Sequence, residues 1–137
     1  MRVNIKEVET LVRNSTSRGF SEQTVEFFKA LLESMVNIDK CEELIGNPLL
    51  AVERLNQTLT VLSYIIGELK DKGFNEFRDS VHEADGPNSK DKFKLCILVN
   101  AFRHLCLAKH MLDLNYGDMA LDQISFFWRD VRVALNQ

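Results

Sequence analysis

Residues 48–72 read PLLAVERLNQTLTVLSYIIGELKDK, and the apolar side chains Val52, Leu55, Leu59, Leu62, Ile66 and Leu69 recur in steps of three and four. That spacing lines them up on one side of an α-helix. The same seam returns near the C-terminus at Leu121, Ile124, Trp128, Val131 and Leu135. Amphipathic helices gain most of their stability from packing an apolar face, so these two predict a shared core.

The remaining pattern is also helical. Asn4 followed by Glu7 has the form of a capping box, with Ile5, Val8 and Val12 making a short stripe behind it. The helix is expected to fade over residues 15–18 and to end at Gly19. Ser21 is placed to cap a second helix, with Glu22 at the positive end of its dipole. Val25, Phe28, Leu32, Met35 and Val36 form its predicted inner face, widened by Phe27 and Leu31. Asp39 and Glu42 carry it towards Ile45, where Gly46 stops it.

Asn47-Pro48 predicts the start of the 48–72 helix, because proline at the first helical position loses no hydrogen bond. Gly73 is expected to close it. A short amphipathic piece follows, with Phe74, Phe77 and Val81 facing inward. The loop Glu83–Ser89 is the clearest break by composition.

From about Ser89 to Tyr116 runs the most apolar helix. Phe93, Ile97, Ala101, Leu105, Ala108 and Leu112 lie on one side, and Leu95, Leu98, Phe102 and Cys106 on another. A helix apolar on more than one side is buried from more than one side, so this is the expected central helix. Gly117 is read as its stop and Asp118 as the cap of the last helix. No segment alternates with a period of two. The expected fold is all-α: one domain over residues 1–137, an antiparallel bundle of four main helices with one or two short ones.

Size and composition agree with this picture. A chain of 137 residues has the length of one domain and buries roughly two-thirds of its unfolded surface. A core then needs no disulfide or metal staple. The net charge of −3 argues against a nucleic-acid partner, whose phosphates call for a basic face. The N-terminal residues carry charges throughout and lack a signal-peptide core. The apolar run 95–112 is interrupted by Asn100, Arg103, His104, Lys109 and His110, which argues against a membrane span. Three cysteines, Cys41, Cys96 and Cys106, are an odd number without close spacing, as expected of free thiols in the cytoplasm.

Few residues suggest chemistry. Arg103 and His110 lie seven apart on one helical stripe, within the string R-H-L-C-L-A-K-H. The string resembles the Arg-polar-x-His motif of the HEPN superfamily, helical-bundle proteins that include ribonucleases and nucleotide-binding modules. The resemblance implies that Arg103 would hold a phosphate and His110 would act as general base or acid. It covers eight residues in mid-helix, whereas the family motif usually opens a helix at a dimer cleft.

Asn100 and His104 are neighbours one turn apart on an apolar face. They suggest either a pocket in the core or a buried polar pair that fixes helix register, and the second is the expectation. His82, Glu83 and Asp85 read as a solvated helix end. No paired Glu-x-x-His motifs, zinc spacing, phosphate loop or nucleophile motif occurs, so no metal or cofactor is expected.

Phe126, Phe127 and Trp128 occupy successive positions about 100° apart. Trp128 belongs to the inner seam, so Phe126 points away from it, towards the side that carries Val133. Either the N-terminal helix covers these two or they form a contact patch. The expectation for function is a small non-catalytic protein acting through protein–protein contact, in an accessory, regulatory or immunity-type role. A two-fold homodimer is the first guess, and a HEPN-like ribonuclease using Arg103 and His110 is the alternative.

Overall fold

The computed structural model describes residues 3–16, 19–42, 48–61, 63 and 74–136. These form six α-helices and no strand: α1 (Ile5–Thr16), α2 (Glu22–Glu42), α3 (Pro48–Val61), α4 (Phe74–Glu83), α5 (Ser89–Asp113) and α6 (Gly117–Asn136). The expected all-α class holds. All six helices contribute to one continuous apolar cluster among the described residues. Leu62, Ile66, Leu69 and Gly73, the expected continuation of the α3 seam, lie outside the described residues.

Local chemistry explains most helix starts. Asn4 Oδ1 accepts from the Lys6 N–H at 3.1 Å, opening α1. Ser21 Oγ accepts from the Thr24 N–H at 3.2 Å, opening α2. Pro48 begins α3, as its fixed φ favours. α5 begins at Ser89, as expected, and Asn88 caps it: its side chain accepts from the Asp91 N–H at 2.8 Å.

The central position of α5 also holds. Leu95, Leu98, Val99, Ala101, Phe102, Leu105 and Ala108 are buried, and α5 packs against α1, α3, α4 and α6. Its link to α2 is aromatic: Phe102 meets Phe27 edge-on at 5.2 Å, and Phe27 meets Phe28 at 5.0 Å. α5 is also the one described helix long and apolar enough to cross a bilayer by length and composition.

Two inner-face assignments and one helix stop need correction. Val36 is exposed and Ile38 is buried in its place, because α2 presents Leu31, Met35 and Ile38 as its later core row. Phe93 is 54% exposed rather than part of the core side. Gly117 does not stop α5. That role falls to Asn115, which adopts a left-handed φ of 63°. The Tyr116 N–H reaches the Met111 carbonyl at 2.8 Å and the Asn115 N–H reaches Leu112 at 3.0 Å. Together they form a Schellman closure, which asparagine tolerates better than other side chains.

Gly117 instead begins α6, with Asp118 inside its first turn rather than at the cap. A Cβ on Gly117 would lie 3.2 Å from a Val52 methyl, so the missing side chain lets α6 start close against α3. Replacing Asn115 tests the closure. Asn115→Ala is expected to cost about 1 kcal/mol, while Asn115→Gly should equal or exceed the parent. Urea midpoints at unchanged m-value read both.

Candidate functional site

The α5/α6 hairpin carries most of the residues singled out from the sequence. Phe126 and Val133 keep 38% and 41% of their surface exposed. The N-terminal helix does not cover them; it packs on α2 and α5. Phe127 and Trp128, the next two positions, turn into the core. Phe126 lies between two groups: the Arg129 guanidinium sits 5.0 Å over its ring, and the His104 ring is 5.7 Å away.

His104 is half-buried and reaches across the hairpin. Its Nδ1 is 3.0 Å from Gln123 Oε1, and its Nε2 is 3.2 Å from an Asp130 carboxylate oxygen. The ring therefore bridges two turns of α6, with Phe126 packed beside it. These contacts tie α5 to α6 across the hairpin. His104 does not pair with Asn100, however. Asn100 stands apart: its Oδ1 is sealed from solvent with no hydrogen-bond partner among the described residues, while the residue as a whole is half-buried. His104→Leu is expected to cost about 1–2 kcal/mol, because it strands Gln123 and the half-buried Asp130 carboxylate. Chemical denaturation checks this, and His104→Gln should recover part of the loss.

Exposed apolar positions on the hairpin follow a seven-residue rhythm. On α5, Phe93, Leu107 and Leu114 are exposed, with Asn100 at the intervening position. On α6, Met119, Phe126 and Val133 are exposed. Each row advances by seven residues, so each forms a nearly straight stripe along its helix.

Arg103 and His110 both lie exposed on α5. Neither lines either of two clefts formed by described residues. One of these, about 260 Å³, opens between the start of α3 and the α5–α6 turn, where Val52 faces Gly117.

The other cleft lies between α4 and α5 and measures about 400 Å³. Arg78, His82, Lys92, Phe93, Cys96 and Asn100 are among its walls. The loop after α4 turns the chain back, which brings His82 against Cys96 with Nε2 3.5 Å from Sγ. The Lys92 ammonium donates to the His82 carbonyl at 2.9 Å, tying the end of α4 to the first turns of α5. Burial pushes the Cys96 thiol up from its usual range, and the Arg78 charge pulls it back in part. At neutral pH the group is therefore a thiol rather than a thiolate.

No sequence motif announces this grouping, since His82 and Cys96 sit on different helices. The exposed His82, Glu83 and Asp85 do form the solvated helix end that their composition suggests. Among the described residues, no three His, Cys, Asp or Glu side chains converge to hold a metal ion. Comparison of the chain with known protein families, curated proteins and solved structures finds no match. The functional reading accordingly rests on geometry.

Proposed function

We propose that this protein works by non-catalytic contact with another protein chain, in the first place a second copy of itself, through the outer face of the α5/α6 hairpin. The observation that carries the reading is the pair of exposed stripes, Phe93–Leu107–Leu114 and Met119–Phe126–Val133. Scattered exposed apolar residues are ordinary, but two rows at seven-residue spacing on adjacent helices form a seam for further helices. Two such hairpins related by a two-fold axis would close into a four-helix contact, each copy offering the same surface.

The rims carry both signs: exposed Arg103 flanks the α5 stripe, and on α6 exposed Asp118 and Asp122 stand near the start of the stripe while exposed Arg129 stacks over Phe126 at its middle. We place the protein in the cytoplasm, and Cys96 and Cys106, neither of them in a disulfide, support a reducing compartment.

Sedimentation equilibrium tests the reading. Over about 1–100 μM at moderate salt the protein should shift from the mass of one chain towards that of two, as a micromolar dissociation constant requires. A single-chain mass held up to 100 μM, on the order of a hundred times that constant, removes the self-association proposal.

A further inference from the structure

The α5 stripe is broken by one polar residue. Phe93, Leu107 and Leu114 are exposed and apolar, and Asn100 takes the seventh place between the first two. The single chain gives no reason for an amide there. Its Oδ1 is sealed without a partner, and no described group bonds the rest of the side chain. An orphaned buried acceptor costs folding free energy that an apolar residue of similar size does not. The cleft beside α4, which Asn100 also borders, does not explain it, since a sealed oxygen meets no ligand there.

Hairpin geometry sets Asn100 in a layer. α5 and α6 run antiparallel through the turn at residues 114–116, and His104 reaches both Gln123 and Asp130 across the hairpin. Each step of seven back along α5 is therefore matched by a step of seven forward along α6. Leu114 comes level with Met119, Leu107 with Phe126, and Asn100 with Val133. Only the layer furthest from the turn is polar, and only on its α5 side.

We infer that Asn100 sets the register of self-association: it holds two hairpins parallel, about a two-fold axis running along the helices, with the Asn100–Val133 layers of both copies together. The inference rests on the hairpin contact proposed above. A lone asparagine in an apolar helical seam selects register at some cost in stability. The selection is a difference between arrangements. With antiparallel hairpins in full overlap, the Asn100 layer falls on the Leu114–Met119 layer, and the outer end of the amide loses its water to apolar groups. With parallel hairpins the two amides share one layer, where each other or a trapped water keeps them bonded. Sliding antiparallel hairpins until the amides meet carries the Leu114–Met119 layers out of the overlap.

Sedimentation equilibrium and NMR on the parent, Asn100→Leu and Asn100→Gln test the inference. The associated parent should show one resonance set. In a mixture of isotope-labelled and unlabelled chains, the Asn100 side-chain amide should show contacts between copies to Val133 and none to Met119. Asn100→Leu should tighten association about tenfold or more and add further resonance sets along the stripes, as registers become equivalent. Its urea midpoint, read on the single chain, should be no lower than the parent's. Asn100→Gln keeps the amide and should keep one set.

Contacts from Asn100 to Met119 of the other copy overturn the inference and leave the hairpin contact standing. So does an Asn100→Leu protein with an unchanged dissociation constant and one resonance set, one less stable than the parent, or an Asn100→Gln protein with as many sets as the leucine variant. A parent that stays a single chain up to about 100 μM removes the hairpin contact, and this inference with it.

Discussion

Phe102→Ala should destabilise the folded chain by about 3–5 kcal/mol, the range for removing a fully buried phenylalanine. Phe102 is 1% exposed and sits on the central helix. Its ring closes a row of edge-on aromatic contacts that runs from Phe20 through Phe28 and Phe27. Truncation thus removes the buried area, leaves a cavity between α2 and α5, and takes the edge-to-face partner from Phe27. Domains of this size are stable by only about 5–15 kcal/mol, so the loss is a large share of the total. A urea melt followed by helical signal measures it. A loss under about 1 kcal/mol would mean that α2 and α5 can close the gap, and that the aromatic row is not the joint between them.

Phe126→Ala should act at a different level, abolishing association while sparing the monomer. Its position in the middle of the Met119–Phe126–Val133 stripe, with 38% of its surface open, is that of an interface anchor. Aromatic anchors near the centre of a contact are worth about 2 kcal/mol or more each. A two-fold dimer contains the residue twice. The expected loss is therefore about 4 kcal/mol, near a thousandfold in the dissociation constant. Monomer stability should fall by about 1 kcal/mol or less, because the ring gives up only partial burial and its contacts with His104 and Arg129. Val36→Ala is the control: Val36 is 43% exposed but stands on α2, outside the hairpin, so its removal should leave association unchanged. If both substitutions weaken association alike, the contact lies somewhere other than the proposed face.

Periodicity and capping chemistry made the helices legible, since both are written within a few residues. Ser21, Pro48 and the Ile124–Trp128–Val131 seam act locally, and they appear where the spacing puts them. Position within the bundle was harder to read. Phe93 and Val36 share the apolar character of their buried neighbours, and only the arrangement of other helices leaves them outside. Gly117 looks like a helix stop because glycine is the usual one, yet Asn115 takes the left-handed turn. What glycine supplies at 117 is the absence of a side chain opposite Val52, a fact about a helix more than fifty residues earlier. His82 and Cys96 present the same difficulty. Neither residue carries a signal alone, and the grouping exists only once the loop has folded α4 back beside α5.

Trp128 is the single tryptophan of the chain, sunk in the core with its indole N–H unpartnered and its ring 5.1 Å from Phe127. The molecule thus carries a built-in optical gauge of its interior. Indole emission shifts to shorter wavelength in apolar surroundings, so native fluorescence should be blue and should redden as water enters. Light from that one ring tracks unfolding, whereas events confined to the outer stripes should leave its colour nearly still.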